Sequence, residues 1–198
     1  MSRGRGTSWP GRSTPSCRGD WSSRGGGRWT PGASTGGFTD VLLRAGAAHV
    51  VAVDVGYGQL AWSLRNDERV TVKDRTNVRE LTLEAIDGEP VDLVVGDLSF
   101  IPLGLVLPAL TRCVKPDADL VMMVKPQFEV GKERLGSGGV VRSPQLRAEA
   151  VRGVAARAWE LGTRGEGRDG ESAARPLGER RVLPVAAGRG SGTGPGRR

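Results

Sequence analysis

Two charged residues, Asp97 and Lys125, each follow an apolar run, and together they have the chemistry to act on a hydroxyl group. Asp97 opens the segment Asp-Leu-Ser-Phe-Ile101, and Lys125 opens Lys-Pro-Gln-Phe-Glu129. A lysine beside a carboxylate suits removal of a proton from a hydroxyl, provided that partial burial favours the neutral amine. The other interpretation is a structural ion pair at the edge of a sheet, and spacing alone leaves both open.

A glycine-rich segment earlier in the chain has the features of a cofactor site. Gly32-Ala-Ser-Thr-Gly-Gly-Phe-Thr-Asp40 runs into an expected helix at Val41–Ala45, and the apolar run Val50–Val53 then ends at Asp54. Glycines allow backbone to approach a ligand closely, and a helix N-terminus offers free N–H groups. An acid at the next strand end can accept both hydroxyls of a ribose. The pattern predicts a nucleotide-type site, although the dinucleotide fingerprint is incomplete; the alternative is an ordinary helix start before a buried strand.

The elements that must position these residues alternate between strands and helices. Apolar runs predict strands at Val50–Val53, Val70–Val72, Val91–Val95 and Asp119–Val124, and periodicity predicts helices at 57–64, 101–113 and 146–161, with a shorter one starting at 82–85. Near-continuous apolar strands between helices indicate an α/β fold, a Rossmann-like doubly wound parallel sheet. Because ligands bind beyond the carboxyl ends of such strands, we expect Gly32, Asp54, Asp97 and Lys125 at one edge.

Composition separates a middle segment from two unusual ends. The length of 198 residues fits one domain. The net charge of +7 comes from the arginines of 1–31 and 163–198, because residues 32–162 hold 15 basic and 17 acidic residues, including all four lysines. The charge therefore does not by itself indicate nucleic-acid binding. Two cysteines are too few for a disulfide scaffold or a metal site. No apolar run reaches the length of a membrane span and no signal peptide is evident, so we expect a cytoplasmic protein without metal or membrane attachment.

Five motifs in sequence order carry a resemblance to a known family. They are Gly32–Asp40, Ala52-Val-Asp-Val-Gly-Tyr-Gly-Gln-Leu60, Asp74-Arg-Thr-Asn-Val-Arg79, Asp97–Ile101 and Val124-Lys-Pro-Gln-Phe-Glu-Val-Gly131. Together they resemble the TlyA (hemolysin A-like) RNA methyltransferases, relatives of the FtsJ-type ribose 2′-O-methyltransferases, over roughly residues 32–162. The resemblance implies a class I methyltransferase sheet, S-adenosylmethionine (S-adenosyl-L-methionine) as methyl donor, and 2′-O-methylation of cytidine in ribosomal RNA.

The resemblance also implies roles for single residues. By motif position, the cofactor-binding residues are Gly32, Ala33, Ser34, Gly36, Asp54, Asn77 and Asp97. Within that set Asp54 would hold the adenosine ribose and Asn77 would lie by the adenine. Asp97 and Lys125 match two members of the family's Lys-Asp-Lys-Glu catalytic set. The implied partners are ribosomal RNA or ribosomal subunits, and a reacting 2′-hydroxyl restricts the substrate to RNA.

Both ends of the chain depart from the family pattern. The family has an S4-type RNA-binding domain and a catalytic lysine ahead of the glycine turn, whereas residues 1–31 contain no lysine. Thr30 stands where the family has an aspartate, and we predict no counterpart after Gly162 of the late strand that carries the catalytic glutamate. We therefore expect a methyltransferase domain at 32–162 between two disordered or frame-shifted segments, 1–31 and 163–198, and a sheet incomplete at both ends.

A shift of reading frame accounts for the unusual ends. The family's late strand, Gly-Asn-Val-Glu-Tyr-Phe-Leu-Trp-Leu, written in GC-rich codons and read two bases in, gives Glu179–Ala186 of this chain. An upstream Ala-Val-Asp-Ala read one base in gives Arg28–Pro31. If the ends are shifted, the chain is a weakened or inactive methyltransferase. The alternative is a non-catalytic nucleotide- or RNA-binding module on a Rossmann-like sheet; a dehydrogenase is a weaker third, because the turn lacks that glycine spacing.

Overall fold

The computed structural model describes residues 27–165 and 180–186. The strands are β1 (Gly27–Pro31), β2 (His49–Val53), β3 (Val70–Lys73), β4 (Val91–Gly96), β5 (Val114–Val124), β6 (Thr163–Gly165) and β7 (Arg180–Ala186). The α-helices are α1 (Gly37–Arg44), α2 (Trp62–Arg65), α3 (Leu103–Arg112), α4 (Pro126–Glu129) and α5 (Pro144–Glu160). Single 3₁₀ turns lie at Val78–Glu80, Glu84–Ile86, Lys132–Arg134 and Ser137–Gly139. Over these ranges no helix is both long and apolar enough to cross a membrane.

The strands form one sheet in the order β3-β2-β1-β4-β5-β7-β6, and every pair of neighbours is parallel. This confirms the predicted α/β fold. The chain leaves β1, β2, β4 and β5 at the same edge, where it reaches Gly32, Asp54, Asp97 and Lys125. The sheet therefore brings together the four strand ends that the sequence singled out.

Both faces of the sheet are covered, which explains the near-continuous apolar strands. Val51 and Val53 of β2 belong to the larger core, with α3 and α5, whereas Val50 packs with Leu42 and Leu43 of α1 on the other face. Successive strand side chains point to opposite faces, so a strand with helices on both sides must be apolar at every position.

The N-terminal boundary differs from the prediction by one strand. We expected 1–31 to be disordered or frame-shifted. Disorder is wrong for Gly27–Pro31, which forms β1, the central strand, paired with both β2 and β4; a shifted frame stays a prediction. Trp29 is fully buried in the larger core, and Arg28 is buried in an ion pair with Asp92 of β4. Burial of one large aromatic side chain stabilises a strand that the composition of 1–31 as a whole did not favour. Asp92 offsets the cost of burying the Arg28 charge. Residues 1–26 lie outside the described residues.

The C-terminal side differs in the same way. We predicted no strand after Gly162, yet β7 pairs with β5 along Asp119–Val124, and β6 pairs with the first three residues of β7. The apolar run at 182–186 suits a strand beside the buried β5, whereas the prediction gave more weight to the Gly/Arg-rich composition around it. We expected the sheet to be incomplete at both ends, but the N-terminal and C-terminal segments of the chain each contribute strands to it. Residues 166–179 and 187–198 lie outside the described residues.

The helix expected at 57–64 is also shorter than predicted, since only Trp62–Arg65 is helical. The preceding backbone is committed to other contacts: the N–H of Gly58 donates to Asp74 and that of Ala61 donates to the carbonyl oxygen of Thr35. These tertiary hydrogen bonds replace the helical ones that the leucine spacing suggested.

Candidate cofactor and catalytic site

The glycine turn lies between β2 and the loop that follows β4. The N–H groups of Gly32 and Ala33 both donate to the carbonyl oxygen of Val53, at 2.9 and 3.1 Å. Gly32 has φ +72, and a Cβ atom there would lie 2.9 Å from the carbonyl oxygen of Asp97. Only glycine fits this backbone conformation and this close approach. The turn is therefore held from both sides, even though the strand before it departs from the family pattern.

Gly36 is the second glycine that the turn requires. It has φ +103 at the N-cap of α1, and a Cβ atom would lie 2.3 Å from Leu64 Cδ1 and 2.8 Å from Leu60 Cδ1. No side chain caps this helix start. Gly36 thus lets the segment with Leu60 and Leu64 pack onto the turn and leaves the first N–H groups of α1 without a side-chain acceptor.

Asp54 connects the turn to the end of β2. Its Oδ2 accepts the backbone N–H of Ser34 and its Oδ1 accepts that of Gly56, both at 2.8 Å. Two backbone donors fix the plane of the carboxylate, and each oxygen keeps a further lone pair for a ligand hydroxyl. Ser34 itself is exposed with φ +48, a left-handed conformation that turns its N–H toward Asp54.

Asn77 lies close to this group but uses its side chain locally. The N–H of Thr76 donates to the carbonyl oxygen of Asp54 at 2.9 Å, which ties the two segments together. Asn77 Oδ1 accepts the N–H of Arg79, and its Nδ2 donates to Glu80. The structure therefore places Asn77 near Asp54, with its amide capping the 3₁₀ turn at Val78–Glu80.

Charged and aromatic side chains lie at the Asp54 end of the sheet edge. They were not predicted as site residues. Arg65 Nη2 lies 2.5 Å from Asp74 Oδ2, and this hydrogen-bonded guanidinium lowers the pKa of Asp74. The Arg75 guanidinium lies 4.5 Å from the ring centroid of Tyr57, within cation–π range. These contacts fix the two loops that follow β2 and β3.

Asp97 and Lys125 meet at the other end of the edge. Lys125 Nζ lies 2.8 Å from Asp97 Oδ1 and also donates to Ser99 Oγ. Asp97 Oδ1 is itself buried, whereas 37% of the Asp97 side chain as a whole is exposed. We interpret the contact as an ion pair between the Lys125 ammonium and a carboxylate oxygen that solvent does not reach.

Two phenylalanines beside this pair were not predicted as site residues. Phe100 is 89% exposed and has φ +66, and its ring centroid lies 5.4 Å from that of Phe128. An exposed aromatic ring in a left-handed conformation is unusual for a residue without a binding role. The sequence did carry a signal, since two of the three phenylalanines in the chain lie in the Asp97 and Lys125 motifs.

Glu129 ends the segment that begins with Lys125, and it was not predicted as a site residue. Its Oε1 accepts the N–H of Leu103, the first residue of α3, at 2.8 Å. Burial raises the pKa of Glu129, and the hydrogen bond from Leu103 opposes that change. A groove of about 230 Å³ runs beside it, lined also by Arg134 and Glu149, which form an ion pair.

Fold and site together define an α/β domain in which a glycine turn, the Asp54 carboxylate and an acid–lysine pair lie at one edge of a parallel sheet. Residues 31–168 match the FtsJ-like methyltransferase family, and the chain belongs to that family.

Named relatives agree with this assignment. The chain is 71% identical over 131 residues to the 16S/23S rRNA (cytidine-2′-O)-methyltransferase TlyA of Mycobacterium tuberculosis, covering 66% of this chain and 48% of that protein. It is 36% identical to hemolysin A of Brachyspira hyodysenteriae, over 66% and 55% of the two chains. A solved structure from Lactococcus lactis, named as a candidate hemolysin, superposes with a TM-score of 0.68 at 39% identity, covering 71% of this chain and 68% of that one. The chain spans about half the length of the curated relatives that it matches.

Proposed function

We propose that this domain binds S-adenosylmethionine and methylates the ribose 2′-hydroxyl of cytidine in ribosomal RNA. The observation that carries the proposal is the Asp97–Lys125 pair, 2.8 Å apart, at the same sheet edge as Asp54 and the glycine turn. The names of the relatives support the reaction and the substrate. A ribosomal substrate would place the protein in the cytoplasm.

The residues at the Asp54 end fit the proposed donor. Asp54, oriented by two backbone N–H groups, would accept the ribose hydroxyls, and Gly32, Ala33, Ser34 and Gly36 would line the remainder of the cofactor. Asn77 would border the adenine. When bound, the donor supplies a sulfonium methyl group that is already activated toward an attacking oxygen.

Lys125 and Asp97 would act on the RNA hydroxyl. Lys125, held by Ser99 and Asp97, would lie next to the hydroxyl, and its amine, once it has given up its own proton, would take the hydroxyl proton as the oxygen attacks the methyl group. Because the methyl group is already activated, alignment of the hydroxyl supplies much of the rate enhancement.

Phe100 would position the base of the target nucleotide. RNA modification at a ribose requires an accessible nucleotide, and unstacked bases bind on aromatic side chains. Phe100 offers an exposed ring three residues after Asp97, supported by Phe128 from the Lys125 segment. The same two segments would then hold both the hydroxyl and the base.

This chain as written would transfer methyl groups slowly or not at all. Residues 1–31 lack the family's first catalytic lysine, and Arg181 stands at the position that frame alignment gives to the catalytic glutamate. Groups that act as one catalytic unit are not additive, so losing one can cost nearly as much as losing all.

The test is methyl transfer from labelled S-adenosylmethionine to ribosomal subunits, comparing this chain with a version whose two ends are restored to the alternative frame. We expect label in the restored reaction at a cytidine whose 3′ phosphodiester resists alkaline cleavage, because that cleavage needs a free 2′-hydroxyl. A DNA copy of the target serves as control and should accept no label. No transfer by the restored protein, or label on a base, would contradict the proposed function; equal transfer by both proteins would contradict only the role of the ends.

A further inference from the structure

We propose that Glu129 is a positioning residue that sets the place of Asp97 and Phe100 relative to Lys125 by fixing the start of α3. The inference rests on the proposed function, because Asp97 and Lys125 have a catalytic role only under it. Glu129 itself touches neither of them in the contacts described above; it acts through the backbone of Leu103.

The loop between β4 and α3 contains no regular structure and begins with Asp97. It is tied to the segment that follows β5 at three places, in the same order along both segments. Lys125 contacts Asp97 and Ser99, Phe128 packs on Phe100, and Glu129 accepts the N–H of Leu103. The third tie ends the loop, so it limits how far the whole segment can shift.

The three ties differ in their exposure to water. Phe100 is 89% exposed, and the hydrogen bond from Lys125 to Ser99 lies at the surface, so water competes for both contacts. The hydrogen bond from the N–H of Leu103 to Glu129 is partly buried, so water competes less for it than for the other two contacts. A hydrogen bond shielded from water is the tie best suited to hold the loop.

The loop also needs an external constraint. Phe100 has φ +66, a conformation that disfavours a non-glycine residue and persists only where the surroundings enforce it. Leu103 is the first residue of α3, and its N–H is one of the donors that a helix cannot satisfy internally. Pro102 immediately before it has no hydroxyl or amide to cap the helix. Glu129 therefore supplies the cap that the sequence around Leu103 lacks.

The experiment uses the 198-residue chain and separates the effect of the length of the residue 129 side chain from the effect of its charge. Glu129→Gln keeps an acceptor oxygen at the same reach without a charge, and Glu129→Asp keeps the charge but shortens the side chain by one methylene group. Amide hydrogen exchange at Leu103 and the loop reports the tie, and the Lys125 side-chain NMR signal reports the geometry of the pair. With four lysines in the chain, that signal can be assigned by substitution. Neither readout depends on methyl transfer, so the result is distinct from failure of the proposed function.

We expect Glu129→Asp to raise exchange at Leu103 about tenfold or more and to shift the Lys125 signal, while Glu129→Gln stays close to wild type. Glu149→Ala, which removes the other carboxylate of the groove, is the matched control and should change neither readout. The inference is overturned if Glu129→Asp behaves like wild type, or if Glu129→Gln disturbs the loop as much as Glu129→Asp does. It is also overturned if Glu149→Ala changes amide exchange at Leu103 and the Lys125 signal to the same extent.

Discussion

The two ends of the sheet edge are built from different kinds of contact. At the Asp54 end, backbone N–H groups of Ser34 and Gly56 donate to a carboxylate, and glycines fit against neighbouring atoms. At the Asp97 end, the contacts join side chains, Lys125 to Asp97 and to Ser99.

This difference matches two tasks. Backbone donors are fixed by the fold, which suits the proposed binding of a cofactor whose polar groups do not change during the reaction. Side-chain contacts can exchange, which suits the proposed transfer of a proton from a substrate hydroxyl to Lys125. The comparison predicts that substitutions at one end change binding of the donor and substitutions at the other change the rate.

Lys125→Ala should give the largest effect and should act on the rate alone. Loss of the proposed base predicts a fall in methyl transfer of about 10²- to 10⁴-fold in the chain with restored ends. Affinity for S-adenosylmethionine, measured by calorimetry, should stay within a factor of a few. Lys132→Ala, an exposed lysine in the next turn, is the control. A parallel loss of donor affinity would end the division between the two ends.

Asp54→Ala should reverse that pattern. It removes the acceptor of two backbone N–H groups and of the proposed ribose hydroxyls, and hydrogen bonds to a charged group contribute about 1.5–3 kcal/mol each. We expect donor affinity to fall about 10- to 100-fold or more, with little change in the Lys125 NMR signal. Asp40→Ala, which removes an exposed carboxylate paired with Arg44, should leave affinity unchanged.

Gly36→Ala tests how rigid the binding end is. The new Cβ would contact Leu64 and Leu60 and would adopt φ +103, so we expect a loss of unfolding free energy of about 1–3 kcal/mol from packing, in addition to backbone strain. Gly58→Ala provides the control, because Gly58 has φ +66 but open space around its Cβ position. Denaturant unfolding of both variants should show a smaller loss for Gly58; equal losses would mean that strain alone matters.

Glu129→Gln should give the smallest effect, visible only as a pH dependence. Because burial raises the folded-state pKa of Glu129 above its ordinary value of 4.5, the folded protein binds more protons than the unfolded one in the interval between the two values. Wild-type stability from this group is therefore lost as pH rises through that interval. Melting temperatures of wild type and variant should agree at acid pH and separate above it, with the variant higher. A gap that is constant with pH would contradict this.

The motifs of the middle segment allowed the fold to be predicted, together with the position of the candidate site residues at one sheet edge. Apolar runs ending in Asp54, Asp97 and Lys125 indicated strands of a parallel sheet, because a strand covered on both faces must be apolar throughout. Gly32 and Gly36 could be assigned to a tight turn for a similarly local reason, since positive φ and missing Cβ atoms leave few alternatives. Local sequence carries this information directly.

Tertiary structure decided what local sequence could not. Whether Gly27–Pro31 forms a strand depended on a place for Trp29 in the core and on Asp92 as partner for Arg28, which lie far apart in sequence. The role of Glu129 likewise depends on Leu103, 26 residues away. Residue types and spacing fixed which groups stand at the sheet edge, because strand ends are set by local patterns. Their neighbours across the edge are set by packing of distant segments, which no local pattern specifies.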